Sequence, residues 1–442
     1  MHAATHRVRL ELESLLREEL PYVYGLSSNH ANLRQSVREL LSFPLQHVAA
    51  MPFYQVPEKC VEPIADAFSA AYAALLDGLE RLFDDPQAMR TFMDCPFLRR
   101  HGERFVPYAR HTFRSRTLTG QSLYGRFDAA LNPASGQVTG IYEFNGDTPV
   151  MLFESINLQH RLSSQIDPSG QRQFNEWYGM SGDLLRAHRF EPHHQIALAC
   201  SFDHIEDLAT CETLAQVVGE QAAAHLLDLT DIDYDHANPE QPFVIHGTDT
   251  YLDALFVLSP WEEMVENFPQ AFMQWERWAD RVAVLEPAWK WFISHKGMLA
   301  YLTWLLENDA DFARRHANAP LLRTYLDPEP LRSTGTPYVA KPVLGRLSAN
   351  IEIYDADGQC TSRSSGEYGD CPRIYQEYHP PFHLEGRGNF IACMWMAGQP
   401  LTRMALPATL CFREFDTAVL ELSNERFVPH VLSNEQGCAL DR

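Results

Sequence analysis

Residues 123–145 read LYGRFDAALNPASGQVTGIYEFN. Two runs rich in strand-forming residues, 123–131 and 137–145, flank a break of Pro, Ala, Ser and Gly, the pattern of a hairpin. Side chains alternate along a strand, so Arg126 and Asp128 share one face of the first run, and Glu143 and Asn145 share one face of the second. Whether the two pairs meet depends on register. A four-residue tip, PASG, with Asn132 opposite Gln137 unites them, whereas a five-residue tip puts them on opposite faces. Three of the four, Asp128, Glu143 and Asn145, carry hard oxygen atoms of the kind magnesium takes, usually together with phosphate oxygens. A half-exposed hairpin also displays such charges as a solvated face or an ion pair, and spacing alone leaves both readings open.

On the N-terminal side, Leu10, Leu12, Leu15 and Leu16 form an apolar stripe, and 65–83 repeats apolar positions at helical spacing, so 1–115 is expected to be mostly helical. On the C-terminal side, the short apolar runs HQIALACSF, AAAHLLDL and ALFVLSP alternate with helical segments between 193 and 290, the signature of a three-layer α/β unit. The aromatic-rich LEPAWKWFISHKGMLAYLTWLLEN then reads as one long helical stretch, with Trp289 to Trp304 as core packing that Lys296 interrupts. Strand patterns resume in TPYVAKPVL, ANIEIYD, RIYQEYH, NFIACMWM and the run after AGQP.

In YVAKPVLGRLSANIEIY, Lys341 ends an apolar strand, and a glycine turn at Gly345 precedes the next. Neither GxxxxGK[ST] nor a strand-borne GxGxxG is present. A strand lysine aimed at phosphate under a loop is sound nucleotide chemistry, but an exposed strand-end lysine has the same local sequence.

The 442 residues are 45% apolar and 21% charged, a globular balance with enough chain for roughly two or three packed units. The formal charge of −22 argues against a nucleic-acid partner, which needs a basic surface. It suits a cationic small substrate, and equally it keeps a protein soluble. No run approaches the ~20 apolar residues of a membrane span, and MHAATHRVRLELESLLREEL has no apolar signal core, so a cytoplasmic protein is expected. Cys60, Cys95, Cys200, Cys211, Cys360, Cys371, Cys393, Cys411 and Cys438 form no CxxC pair and read as reduced packing residues. His193, His194, His204, His225, His236 and His246 show no metal-binding spacing such as HExxH.

The ordered strings YGRFD, EFNGDTP, LEPAWKWFISHKGML, YVAKPVLGR, IYQEY, CFRE and RFVPHVL resemble the synthetase part of the glutathionylspermidine synthetase family, and most closely its standalone bacterial relatives without the amidase domain. The resemblance runs from about 120 to 432 and implies an α/β ATP-grasp ligase. In that reading 1–115 is a helical N-terminal region and 116–190 the magnesium hairpin with connecting helices. A pre-ATP-grasp-like unit then spans 191–290, and the nucleotide-binding region spans 291–435. ATP and Mg2+ are the implied cofactors, and a carboxylic acid and an amine the implied small-molecule partners. The resemblance places Asp128, Glu143 and Asn145 on magnesium, with Arg126 and Arg413 at the phosphoryl transfer. Lys296 and Lys341 would meet nucleotide phosphates, followed on the loop by Gly345 and Arg346, while Glu377 and Tyr378 would form the adenine hinge. Glu206 and Asp207, in SFDHIEDLATCETLAQ, would hold the amine, although a solvated helix start capped by Asp203 explains the same string. The glutathione-using members tend to carry two hydroxyls after the magnesium asparagine; here GDTPV keeps Thr148 but has Val150, so the resemblance does not extend to glutathione as the acid. The hairpin is also slightly longer, and GRLSAN is less glycine-rich, than in many relatives. A non-catalytic ATP-binding regulatory protein of the same fold, and a metal-dependent hydrolase using the same carboxylates, are the alternative readings.

Overall fold

The hairpin forms with the four-residue tip: Tyr124–Asn132 pairs antiparallel with Gln137–Asn145, and Asn132 faces Gln137. Two irregularities follow, between Ala130 and Leu131 and between Asp128 and Ala129, each sliding the second strand by one residue. One slide alone would bring Phe144 onto the charged face. Two restore the parity, so Arg126 lies opposite Asn145 and Asp128 opposite Glu143, all four on one face. The computed structural model that shows this describes residues 1–9, 12–25, 48–169, 172–420 and 424–433.

The hairpin is the edge of an antiparallel sheet in which Tyr124–Asn132 is followed by Asn389–Gly398, Ala405–Phe415 and Arg426–Val428, with Phe382–His383 pairing onto the start of Asn389–Gly398. Both long inner strands are buried on both faces. Because Trp395 is opposite Arg126, Cys393 opposite Asp128 and Cys411, and Ile391 opposite Arg413, the charged face continues across three strands. The other face is aromatic: Phe127 and Phe144 sit with ring centroids 4.5 Å apart, and Phe68 and Tyr72 of the helix Val61–Asp84 close over them at 5.6 Å each. That helix presents Ile64, Phe68, Ala71, Tyr72, Leu75, Leu79 and Leu82 at helical spacing, which is why one side of it buries completely.

Residues 193–290 form a parallel sheet in the order Ala283–Leu285, Ala254–Val257, Gln195–Cys200, Ala223–Asp228, with Ile205–Gly219 as a crossover helix. A second antiparallel sheet is ordered Thr324–Tyr325, Arg373–Glu377, Tyr338–Pro342, Glu352–Tyr354, Cys360–Arg363. The protein is thus a mixed α/β structure.

One part adds strands to the sequence reading and another differs from it. Region 1–115, expected to be mostly helical, has helices at Leu12–Glu19, Pro21–Gly25, Val61–Asp84, Pro86–Phe92 and Pro96–Arg114, but it also supplies strands His2–Arg9 and Val48–Pro57. These pair with each other, and the second runs parallel to His430–Ser433, so chain-distant partners override local preference. The long helical stretch is two helices, Trp289–Ser294 and Gly297–Asn308, because His295 turns extended and the backbone at Gly297 comes so close to Phe92 that a Cβ would overlap its carbonyl oxygen. Its aromatic side chains pack as expected except Trp304, which is exposed.

Of the cysteines, Cys60, Cys95, Cys200, Cys211, Cys393 and Cys411 are buried thiols and Cys371 is partly buried. Cys360 is exposed, and Cys438 lies outside the described residues. No helix among the described residues is long and apolar enough to cross a membrane. Phe127→Ala should cost about 3–5 kcal/mol by removing the ring that joins sheet to helix. Denaturant unfolding measures this, and a loss under about 1 kcal/mol would show that the aromatic face is not the core of the sheet.

Candidate functional site

Six charged side chains at the charged face, Arg126, Asp128, Arg413, Glu425, Lys296 and Lys341, are each no more than 9% exposed. Burial of that many charges is tolerable only with partners in contact. Arg126 forks onto Asp128, Nε to Oδ1 at 2.8 Å and Nη2 to Oδ2 at 3.2 Å, and its Nη1 donates to the Val150 carbonyl at 2.8 Å. Its guanidinium lies 5.8 Å from the centroid of the Trp395 ring. Arg413 approaches the same Asp128 oxygen, Nη1 to Oδ2 at 3.3 Å, and turns its other edge to Glu425, with Nη2 to Oε2 at 2.7 Å and Nε on Oε1. Burial works against both guanidinium charges, but Asp128 for Arg126 and Glu425 for Arg413 outweigh it, so both are held more firmly protonated than a free arginine.

A second knot lies beside it. Lys296, at the break between the two helices, donates to the Gly345 carbonyl at 2.6 Å and pairs with Glu143 at 3.1 Å. Asn145 donates from Nδ2 to Glu143 Oε1 at 3.3 Å. Lys341 donates to Gln376 Oε1 at 2.7 Å and to the Tyr142 carbonyl at 3.3 Å. Burial alone would raise the Glu143 carboxyl; the charges of Lys296 and Lys341 overcome it and bring it down to about 2. Burial lowers Lys341 to about 8, with Glu143 opposing and Lys296 adding to the shift. The lysine is therefore poised to gain from a further anion.

Among the described residues no three His, Cys, Asp or Glu side chains stand close enough to hold a metal ion by themselves. Asp128, Glu143 and Asn145 supply two carboxylates and an amide oxygen on one face. That set fits a divalent cation that completes its shell with ligand phosphates and water, which is how magnesium is usually bound, and it does not fit zinc.

The remaining candidates fall around these knots. Arg346, on the loop after Gly345, pairs with Glu262 at 2.6 Å and lies 3.6 Å from Asp147, next to Thr148. Tyr378 packs with Val339, Ile353 and Val419 in a small apolar cluster of its own. Glu377 is opposite Tyr338, on the face away from Lys341, and its carboxylate is bound by Arg323 at 2.7 Å; the side chain turned toward Lys341 is Gln376 instead. Strand alternation explains this, since Val339, Lys341, Ile374 and Gln376 share a face.

Glu206 and Asp207 occupy the first turn of Ile205–Gly219. Asp203 does not cap that helix: His204 holds the capping position and makes no side-chain cap bond, while Asp203 is exposed. Glu206 is exposed to water. Its proton affinity is raised by partial desolvation and by Glu425, with Arg413 and Arg126 opposing, and Asp207 is raised to about 6, chiefly by burial. Residues that sequence reasoning missed are Glu425, Gln376, Glu262 and Glu154. A lone acid inside an apolar run, as in MLFESINL, is the signal that would have exposed Glu154.

The glutathionylspermidine synthase preATP-grasp family model matches residues 52–433. A Haemophilus influenzae protein named "putative acid–amine ligase" is 28% identical over 321 residues, covering 70% of this chain and 74% of that protein. Trypanothione synthetase of Crithidia fasciculata is 24% identical over 361 residues, covering 73% of this chain but only 49% of its own length, so the chain matches about half of that relative. A solved structure of a glutathione synthetase-like effector from Globodera pallida, in apo form, has a TM-score of 0.50 at 12% identity, covering 91% of this chain and 97% of that one, a likeness of fold.

The Arg413–Glu425 pair yields a stability test. Glu425→Ala should cost about 3–5 kcal/mol by leaving a guanidinium buried beside one shared carboxylate. The double variant Arg413→Met, Glu425→Ala should lose clearly less than Arg413→Met and Glu425→Ala lose singly when added together. Urea unfolding of all four chains completes the cycle, and additive losses would mean that the pair is not coupled.

Proposed function

The chain belongs to the glutathionylspermidine synthase family of carbon–nitrogen ligases, and we propose that it activates a carboxylic acid with ATP and joins it to an amine. The observation that carries this reading is the shared face on which Arg126, Asp128 and Arg413 stand beside Glu143, Asn145, Lys296 and Lys341. Phosphoryl transfer needs positioned positive charge more than covalent help, and this face concentrates it where water is scarce.

In this reading the chain has the ATP-grasp architecture, with 291–435 as its nucleotide-binding region and 191–290 as the pre-ATP-grasp-like unit. Asp128, Glu143 and Asn145 would hold magnesium, whose contribution is neutralisation of phosphate charge. Lys296 and Lys341 bind the resting phosphates; apart from the Lys296–Glu143 pair, both now bond to neutral oxygens, which phosphate would replace with a charged partner. The apolar patch of Val339, Ile353, Val419 and Tyr378 gives the adenine a flat, dry seat beside Lys341. Arg126 and Arg413 meet the phosphoryl group as it moves to the acid. The resulting acyl phosphate has a good leaving group where the free carboxylate had none, and a neutral amine nitrogen then displaces phosphate to form the amide.

Glu206, Asp207 and Glu425 line the amine side, where three carboxylates close together favour a cation. Thr148, beside Asp147, belongs to the acid side. Val150 offers the acid no hydroxyl, so glutathione is not the acid proposed; a different peptide or an amino acid is.

Arg126→Ala should lower single-turnover ADP formation by ~10³-fold or more while the ATP dissociation constant hardly moves, since its guanidinium serves charge that develops in transfer. Lys341→Ala should weaken ATP binding as well as rate. Calorimetry and rapid quench on chains shown folded by circular dichroism separate the two. Equal loss of ATP affinity in both would reduce Arg126 to a nucleotide anchor.

A further inference from the structure

The amine must give up a proton before it attacks, and the acids of the charged face are not free to take it: Asp128 and Glu425 are bound by arginines, and Glu143 is bound by Lys296. Glu154 is different. It lies at the start of Glu154–Leu158, a short segment with the wider turn of a π-helix, a local distortion that recurs at functional sites. Its side chain is 6% exposed, and among the described residues no cation and no other side chain binds its carboxyl, which takes a hydrogen bond only from its own backbone amide. A buried carboxyl without a partner is costly unless something outside the resting structure uses it.

Its surroundings say what that is. The charges that act on it are those of Glu206 in the helix Ile205–Gly219, Glu425 just before Arg426–Val428, and Cys411 in the strand Ala405–Phe415. The neighbouring Ser155 hydroxyl touches Cys411 at 3.2 Å, which fixes the segment to the charged face, where Cys411 pairs with Cys393 and Cys393 with Asp128. Glu425 holds Arg413, and Arg413 reaches Asp128. Glu154 is therefore, with Glu425, one of the two buried acids of the amine side.

Resting on the ligase reading, we propose that Glu154 is the base that takes the proton from the attacking amine. The amine arrives as an ammonium, R–NH3+, drawn by Glu206, Asp207 and Glu425. As it binds, its charge offsets the mutual repulsion of the acids and the Glu154 carboxylate becomes accessible. One N–H proton passes to a Glu154 oxygen. The freed lone pair forms the C–N bond to the acyl carbon, the bond from that carbon to the phosphoryl oxygen breaks, and the electron pair leaves with phosphate. A second N–H proton goes to the departing phosphate, and the Glu154 proton is released to water, so that amide, hydrogen phosphate and one proton are formed. Burial, with Glu206 next, raises the Glu154 carboxyl to about 8, close to working pH, as suits a group that must both take and return a proton.

The test uses two nucleophiles on the full chain with ATP, magnesium and the acid that gives most ADP with hydroxylamine in a panel of peptides and amino acids. Hydroxylamine is neutral at neutral pH and intercepts an acyl phosphate without a base. A linear aliphatic diamine is cationic and needs one. Glu154→Gln should form hydroxamate at close to the normal rate but lose about 10²–10⁴-fold in amide formation with the diamine. In the wild type, kcat/KM for the diamine should rise as pH climbs through about 8, and that limb should vanish in the variant. Glu154→Asp, which keeps a carboxylate, should recover part of the amide rate. Parallel loss of hydroxamate and amide, an undiminished amide rate, or removal of the limb by Asp207→Asn instead would overturn the assignment. A wild type that makes no hydroxamate with any acid would overturn the ligase reading and the base with it.

Discussion

Asp128 sits between two guanidinium groups on the inner face of a sheet, and most of the architecture follows from keeping that arrangement dry and neutral. Arg126 is two residues away on the same strand and Arg413 two strands across, so only a sheet of correct register presents both to one carboxylate. Removing the carboxylate would leave two like charges buried together, which no packing offsets. The two irregularities in the hairpin are therefore part of the same constraint: they slide Glu143 and Asn145 into line with Asp128 and Arg126 while the aromatic face stays on the helix Val61–Asp84. Packing on one face and charge pairing on the other fix the register twice.

What could be seen in the sequence is what strand alternation and ordered strings encode. The alternation in 123–145 and in the later strand runs put each charged residue on a definite face, and the strings carried the family. Apart from the family string that contains it, Lys296 shows in the sequence only as an interruption of an aromatic stripe; the break that aims it depends on Gly297 passing close to Phe92, a contact over two hundred residues of chain. Likewise the strand Val48–Pro57 forms because His430–Ser433 is there to pair with it. Glu377 and Gln376 are neighbours in sequence, and deciding which faces Lys341 requires the register with Tyr338–Pro342. Glu425, twelve residues beyond Arg413, finds it only because Arg426–Val428 folds back beside Ala405–Phe415. Long-range pairing, not local preference, is what the sequence hid.

The charges divide into two sides that share a border. One side carries Arg126, Arg413, Lys296 and Lys341, and the other carries Glu154, Glu206, Asp207 and Glu425, with the Arg413–Glu425 pair as the seam. In the unliganded protein each side is held partly by the other. Polyanionic phosphate on the first side and a cationic amine on the second would satisfy both independently, and would do so at atoms now engaged with protein partners. Glu143 and Lys341 show how finely this is set: the carboxyl is held down to about 2 by the lysines, while Lys341 is held near 8 by burial, so a further anion has more to offer the lysine than the acid has to lose.

A seam of this kind also accounts for the depth of Glu154. An acid at the surface of the amine side would be ionised at rest and would bind any cation in solution. An acid pushed up by burial, with Glu206 and Glu425 opposing its charge, keeps its proton until a cation enters and changes the local field. The same burial that makes Glu154 a poor surface ligand makes it responsive to an occupied cleft, because the two neighbouring carboxylates that oppose its charge are the ones an ammonium would compensate. Distance from solvent and the charge of Glu425 thus act together, and the acidic side depends on the sheet that carries Arg413, since that strand and its neighbour decide where Glu425 stands.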